Sequence, residues 1–137
     1  MSAPPTITVA QATDENSRLI ALIGGGEFDR SAFRDIAQIG CRTDPESLMS
    51  VGPPFSVRTT WVKRDPTPEF VTAALRRVDS LQAEGFQRIA WTRPEPEPPN
   101  ARAYGDARGY GITASDEVRP SGKAVFEIYV NSPCANP

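Results

Sequence analysis

Histidine is absent from the sequence, and this absence excludes more chemistry than any other feature of the composition. Ser-His-Asp and Cys-His catalysis both need an imidazole ring, as does every histidine-ligated metal site. The proton shuttle that works near neutral pH is missing for the same reason. Two cysteines are also too few for a thiolate zinc site. We therefore expect no metal, no cofactor and no catalytic residue, with an enzyme that uses carboxylates or tyrosine as the alternative.

Two further absences restrict the class of protein. No stretch approaches the ~18 apolar residues that a transmembrane helix needs, so no transmembrane segment is predicted. The net charge of −2 lacks the basic excess of a general nucleic-acid binder, so no nucleic acid is expected as a partner. Residues 1–6 have neither the basic region nor the apolar region of a signal peptide. The chain is therefore either cytosolic or a mature portion whose leader was removed.

The length and composition that remain are those of one domain. The 137 residues include 14 prolines and 10 glycines, which suggests long ordered loops and extended ends. Residues 1–12 are rich in proline, alanine and threonine and are interpreted as a flexible tail. Residues 13–137 are interpreted as a single α+β domain, since no internal repeat or second domain is visible.

Two helices are predicted in the first third of the chain. A cap at Thr13 or Asp14 starts a helix that runs to Ile23, where a run of three glycines ends it. An aspartate cap starts a second helix over residues 29–39, with Phe33, Ile36 and Ala37 facing inward. Gly40 then occupies the position at which a helix often ends in a glycine.

A third helix, over residues 68–84, has the clearest pattern. Thr67 is its N-cap, and Pro68 occupies the first helical position, where a missing N–H costs nothing. Gly85 ends it. Its apolar residues recur at helical spacing: Val71, Ala74, Leu75, Val78 and Leu81.

The rest of the chain reads as strands and loops. Residues 41–54 and 94–99 are proline-rich and are predicted to be loops. Strands are predicted over residues 55–63, 87–93, 110–118 and 123–131, with a further short strand at 102–104 as an option before the third of these. The last strand is apolar on both faces and is expected at the centre of the sheet. The predicted fold is α+β, with an antiparallel or mixed sheet of about four strands, helices on one face, and the order α-α-β-α-β-β-β.

The two cysteines lie on either side of the predicted strands. Cys41 precedes the first strand and Cys134 follows the last, and both have polar, loop-like neighbours. A Cys41–Cys134 disulfide would close a loop of roughly 94 residues, worth about 4.6 kcal/mol in the chain-entropy model. The alternative is two unrelated buried thiols in a cytosolic protein. The polar settings and the even count favour the disulfide, which implies an oxidising compartment.

Several short motifs between residues 15 and 137 carry a family resemblance: Gly40-Cys41, the strand with Trp61, Gly85-Phe86, and Ser132-Pro133-Cys134 with Pro137. In these motifs the chain resembles the small lipoproteins of actinobacterial cell envelopes, including the mycobacterial LppA type. The resemblance implies an extracytoplasmic location and a lipid anchor. The lipobox and its acceptor cysteine are missing from this sequence. The molecular function of that family is largely unassigned, so the resemblance implies location more than activity.

The candidate binding surface is the neighbourhood of one predicted turn. Tyr104 and Tyr110 flank the turn at residues 105–109 and are expected to be exposed, with Arg102 and Arg108 beside them. Trp61 and Trp91 are expected to share the core beneath the third helix. The remaining basic residues are nearly balanced by acids and are interpreted as a solvated face.

Function is predicted by exclusion. The first hypothesis is a non-catalytic cell-envelope protein that acts as a tethered binding or accessory module, with an unknown protein or envelope component as its partner. The alternative is a cytosolic interaction protein, such as an immunity-type inhibitor of a toxin. Its motivation is the missing leader, the small size and the slightly acidic charge.

Overall fold

The computed structural model describes residues 5–27 and 35–137. Within them the chain forms two α-helices, two short 3-10 turns over residues 25–27 and 81–84, and six strands. The helices are α1 (Val9–Gly24) and α2 (Pro68–Ser80). The strands are β1 (Asp35–Thr43), β2 (Ser50–Arg64), β3 (Gln87–Arg88), β4 (Ala101–Gly105), β5 (Gly111–Val118) and β6 (Ala124–Ala135).

All six strands form one antiparallel sheet in the order β1-β2-β6-β5-β4-β3. Helix α1 packs on β2 and β6, α2 packs on β4 and β5, and the helices touch each other. Alternate strand residues such as Trp61, Ile112 and Ile128 point into the core between the sheet and the helices. The opposite face of the sheet is not covered by any element that the structure describes.

The α+β class is confirmed, but the predicted sheet of about four strands and the predicted element order are wrong. The main error is the second helix. Its C-terminal part, from Asp35 onward, is β1, which pairs with β2 in the register Ile36–Thr59 and Gln38–Val57. Phe33 lies outside the described residues. The spacing of Ile36 and Ile39 fits a helix locally, yet strand pairing with distant residues decides the structure.

Gly40 has a different role from the predicted helix end. It lies in β1 opposite Phe55, and a Cβ at this position would collide with the backbone of Val51. Glycine is therefore needed here for the close approach of two strands rather than for a left-handed helix cap. The register shifts between Gly40 and Arg42, so Cys41 lies opposite a bulge in β2.

The predicted loop over residues 41–54 is largely strand. β1 extends to Thr43 and β2 begins at Ser50, which leaves only residues 44–49 as the connection. Prolines 53 and 54 cannot donate to a strand ladder, and they lie in the bulge of β2 between Val51 and Phe55. The proline-rich composition that suggested a loop therefore marks a break in strand pairing.

The first helix begins earlier than predicted. Thr8 is its N-cap and forms a capping box with Gln11, so residues 9–12 of the expected tail are helical. The backbone at Thr8 also pairs with that of Asn136, which holds this end of α1 against the chain terminus. Helix α1 thus starts from a fixed point in the domain.

The prediction for the third helix is confirmed in its cap, its face and its end. The Thr67 hydroxyl accepts a hydrogen bond from the Phe70 N–H, and Pro68 is the first helical residue. The last turn, residues 81–84, is 3-10, and Gly85 follows with a φ of 94°. The predicted strand over 87–93 is only two residues long. The last strand, β6, lies inside the sheet as predicted.

The disulfide between Cys41 and Cys134 is confirmed. It joins β1 to β6, the two strands that flank β2, with the Cα atoms 6.2 Å apart and a sequence separation of 93. Both cysteines are exposed. The bond therefore links the outermost strand to the middle of the sheet from outside the core.

Candidate functional site

The four residues predicted as a binding surface do not form one. Tyr104 is 1% exposed and Tyr110 is 5% exposed, so the expectation of an exposed aromatic pair is wrong. Both rings belong to the hydrophobic core, because their strand positions point toward the helices. Of the two tryptophans, Trp61 lies in this core, while Trp91 is partly exposed and lies outside it.

Tyr104 and Arg102 share a carboxylate on α2. The Tyr104 hydroxyl donates to Asp79 Oδ1 over 2.6 Å and accepts from Gln82 Nε2 over 3.2 Å, and Arg102 Nε donates to the same oxygen of Asp79 over 3.3 Å. Burial, together with the hydrogen bond to Asp79, raises the pKa of Tyr104. These contacts fasten α2 to β4 and leave the phenol no free donor for catalysis.

Arg108 and Tyr110 belong to a second, separate cluster. The guanidinium of Arg108 lies 4.5 Å from the centre of the Tyr110 ring and donates to Glu15 Oε2 over 2.7 Å and to Asp106 Oδ2 over 2.8 Å. Glu15 also accepts from Arg18 over 2.6 Å. The hydrogen bond from Arg18, reinforced by Arg108, lowers the pKa of the Glu15 carboxyl. The cluster ties α1 to the β4–β5 turn.

A cavity of about 510 Å³ lies beside this second cluster. Its walls include Arg108, Tyr110, Pro133 and Cys134, with residues 5–7 on the other side. The charged groups of Arg108 are already engaged by Glu15 and Asp106. Arg108 therefore stabilises the fold through these ion pairs, and its charge in the cavity is already balanced.

Sequence reasoning missed a group of exposed apolar side chains on the β1–β2 hairpin. We call residues 35–55, that is β1, the connection and the first part of β2, the arm. None of its residues is buried. Of the seven exposed large hydrophobic side chains in the described part of the chain, four lie on the arm: Ile36, Ile39, Leu48 and Met49. The arm thus concentrates side chains that other parts of the domain bury.

The tip of the arm is ordered by one aspartate. The Asp44 N–H donates to the Met49 carbonyl and its own carbonyl accepts from the Leu48 N–H, each over 2.8 Å. Its carboxylate accepts from the Glu46 N–H over 3.1 Å and from the Ser47 hydroxyl over 2.9 Å. These bonds, first the one from the Glu46 backbone, lower the pKa of Asp44. The turn holds its shape without help from the core.

This turn presents two apolar side chains to solvent. Leu48 is 77% exposed and Met49 is 67% exposed. Leu48 has a φ of 60°, a left-handed conformation that is uncommon for leucine and is stabilised here by the bonds to Asp44. An ordered turn that holds leucine and methionine in water is typical of a contact surface.

The base of the arm is fixed by two further links. Arg42 donates from Nε to the Pro53 carbonyl over 2.8 Å and from Nη2 to the Gly52 carbonyl over 3.1 Å. The neighbouring Cys41 is bonded to Cys134 of β6. Side-chain contacts and a covalent bond therefore hold the arm in place of the apolar packing that it lacks.

Comparison with protein-family models, with curated proteins and with solved structures finds no match for this chain. Across residues 5–27 and 35–137, no three acidic or cysteine side chains lie close enough together to hold a metal ion. Neither described helix is long and apolar enough to cross a membrane.

One sequence signal could have indicated the arm. Leu48 and Met49 follow Asp44-Pro45-Glu46-Ser47, an acidic turn sequence, and two large apolar residues are unusual at the end of such a turn. The prolines of residues 41–54 favour a loop and mask this signal. Recognition of β1 was needed before the two side chains could be placed at the tip of a hairpin.

Proposed function

We propose that this chain is a non-catalytic, extracytoplasmic binding domain whose arm contacts a protein partner. The observation that carries this proposal is that four of the seven exposed large hydrophobic side chains of the described residues lie on one ordered hairpin, with Leu48 and Met49 together at its tip. Single exposed apolar residues need no explanation, whereas two large ones side by side at an ordered tip indicate a contact.

The chemistry of the tip favours a protein with an apolar groove over a membrane surface. Asp44 and Glu46 border the two apolar side chains, and Arg42 is the nearest cation in the sequence. A membrane-binding tip is usually flanked by lysine and arginine, because most biological membranes are anionic. Leucine and methionine inserted into a protein groove would each be desolvated, and the acidic rim would meet basic or neutral residues of the partner.

The disulfide supports the extracytoplasmic alternative over the cytosolic one. Both cysteines are exposed, so in a reducing compartment the bond would be open to thiol exchange. Disulfides of this kind persist in oxidising compartments. Attachment through a lipid anchor, which the family resemblance implies, stays a prediction.

The contacts of the tyrosines support a non-catalytic role. The buried tyrosines are core residues, and the Tyr104 phenol is bonded to Asp79 and Gln82. The chain has no histidine to activate a nucleophile. In a binding domain the buried tyrosines need only stabilise the fold.

The test uses a photo-crosslinking amino acid placed at Leu48 in cells of the native source, with the same amino acid at Val118 as the matched control. Val118 is 74% exposed but lies at the other end of the molecule, at the end of β5. We expect one protein adduct at Leu48, also obtained from Met49, and none at Val118. The captured protein is then purified and its affinity for the domain is measured.

Substitution should then separate the tip from the rest of the surface. Because each apolar side chain buried at an interface contributes roughly 1.5–3 kcal/mol, L48S/M49S should weaken binding at least tenfold, and V118S should leave it unchanged. Equal affinity of L48S/M49S and wild type would refute the proposal. A crosslink from Leu48 between two copies of this chain, or sedimentation with lipid vesicles that L48S/M49S abolishes, would assign the tip to another occupant and also refute the proposal.

A further inference from the structure

A second surface lies at the opposite end of β2 from the tip of the arm. It is a cavity of about 410 Å³ where β5 turns into β6. Arg64, Asp65, Arg119 and Lys123 line it, and Val62 and Val125 form its apolar base. Val62 and Arg64 alternate with the core residue Trp61, and Arg64 pairs in register with Val125. The cavity, here named the basic cleft, therefore opens on the sheet face away from the helices.

Backbone hydrogen bonds hold two of the cations side by side. The Arg119 N–H donates to the Lys123 carbonyl over 2.9 Å, and the Gly122 N–H donates to the Arg119 carbonyl over 2.8 Å. Gly122 has a φ of 85°, which glycine adopts without strain. The turn thus fixes the backbones of Arg119 and Lys123 opposite each other, so both side chains start from fixed positions on the cavity.

The third cation comes from β2. The Asp65 N–H donates to the Ala124 carbonyl over 3.1 Å, which holds the end of β2 against β6. Arg64, the preceding residue, is thereby placed on the same cavity as Arg119 and Lys123. Two separate elements, β2 and the β5–β6 turn, supply the charges.

Two of these three cations have no ion-pair partner among the described residues. Arg119 Nη2 forms an ion pair with Glu127 over 3.3 Å. Arg64 and Lys123 form no ion pair or side-chain hydrogen bond with any residue that the structure describes, although Asp65 lines the same cleft. Many other cations of the chain are paired, as with Arg18, Arg88, Arg102 and Arg108. The basic cleft is therefore a place where positive charge is left available for an external anion.

We infer that the basic cleft binds a phosphate-bearing ligand. Arginine presents a planar fork of donors that matches phosphate oxygens, and lysine adds a compact charge. Even with Asp65 in the lining and Glu127 paired to Arg119, two arginines and a lysine leave donors free, and a phosphate group has three or more acceptor oxygens to meet them. The apolar base and the volume leave room for an organic group attached to the phosphate.

The inference is tested by following backbone amide signals in solution NMR during titration with inorganic phosphate and then with glycerol 3-phosphate, at constant ionic strength. We expect saturable shifts confined to residues 62–65 and 119–125. The double variant R64Q/K123Q should weaken binding by about tenfold or more, since charge-assisted hydrogen bonds are lost. The matched control is R76Q: Arg76 is an exposed arginine on α2, and its loss should change nothing.

Vesicles of neutral lipid, with and without phosphatidylglycerol, separate the two sources of phosphate. Saturation by glycerol 3-phosphate without vesicle binding would assign a soluble ligand. Retention on anionic vesicles alone, lost in R64Q/K123Q but kept in L48S/M49S, would assign a lipid headgroup. Shifts that are scattered or do not saturate, or that persist in R64Q/K123Q, would overturn the inference. The test of the arm uses Leu48 and Met49, which are not part of the basic cleft. Failure of one proposal therefore does not affect the other.

Discussion

At the scale of single residues, Asn16 joins the helical layer to the sheet. It is fully buried in α1, and its Nδ2 donates to the carbonyls of Val57 (2.9 Å) and Val130 (3.3 Å), with a third contact to the Thr59 hydroxyl at 3.3 Å. Val57 and Val130 belong to the neighbouring strands β2 and β6. One amide group therefore bridges two strands and a helix inside the core.

We expect N16A to lower the free energy of unfolding by about 2–3 kcal/mol. It removes bonds to buried acceptors and leaves a small cavity. The expected loss is at this level rather than higher, because Asn16 Oδ1 is buried without a hydrogen-bond partner among the described residues, a cost that alanine removes. Urea denaturation followed by circular dichroism measures the change.

Ser17 gives the control for Asn16. Its hydroxyl donates to the Thr13 carbonyl one turn earlier in the same helix, over 3.0 Å. S17A should therefore change stability by less than about 1 kcal/mol, since the bond is local and alanine favours the helix. Equal effects of N16A and S17A would show that the bridge between α1 and the sheet does not contribute.

At the scale of elements, the chain separates into segments with local signals and segments without them. Helix α2 could be predicted in detail because Thr67, Pro68 and Gly85 are independent markers that agree with the apolar spacing. β1 could not, because its apolar residues fit a helical period and the first part of its partner strand contains two prolines, which favour a loop. Because β1 reads as a helix, the sequence does not predict the arm or the candidate site on it.

Pairing also explains why the tyrosines were misplaced. Tyr104 and Tyr110 flank a turn, which suggested exposure, but in the register of β4 and β5 Tyr104 lies opposite Ile112, on the face that the helices cover. Which face of a strand is buried depends on where the helices pack. A sequence with alternating residues on short strands does not contain that information.

The contact between α1, the segment after α2 and the β4–β5 turn depends on pH through Glu15. Arg18 pairs with both Glu15 and Glu84, with 3.0 Å between its Nη2 and Glu84 Oε1. Arg108 pairs with both Glu15 and Asp106. The pKa of Glu15 is lower in the folded state than its ordinary value of 4.5. Its contribution to stability is therefore complete above that value and is lost as the pH falls through the lower, folded pKa.

E15Q should consequently destabilise the protein near neutral pH by about 1 kcal/mol, with little effect at a pH well below the folded pKa. There the wild-type side chain is protonated and resembles glutamine. The measurement is the free energy of unfolding of both proteins across this range. A destabilisation by E15Q that is the same at both ends would show that shape, and not charge, is what Glu15 contributes.

At the scale of the whole molecule, the two proposed surfaces are far apart. β2 has 15 residues, with the tip of the arm beside Ser50 and the basic cleft beside Arg64, so up to roughly 45 Å of strand separates them. The helices cover one face of the sheet and contribute to neither surface. The domain is thus arranged as a helical support for a sheet that has contact regions at both ends of its longest strand.

The disulfide determines how strongly the arm is attached to the rest of the sheet. β1 lies at the sheet edge and pairs with β2 alone among the described strands, and Cys41–Cys134 is its second attachment. Closing a separation of 93 positions constrains the unfolded chain, worth about 4.6 kcal/mol in the chain-entropy model. We therefore expect C41S/C134S to lose about 4–5 kcal/mol of unfolding free energy and to become insensitive to reductant.

The stability lost in C41S/C134S should be concentrated in the arm. Amide hydrogen exchange in C41S/C134S should rise more in β1 than in β5, because β5 is held between β4 and β6 whatever the state of the cysteines. Binding through Leu48 and Met49 should weaken with it, since a loosened arm must be ordered again by the partner. If exchange rises equally in β1 and β5, the disulfide acts only on the unfolded chain, and the arm is held by strand pairing alone.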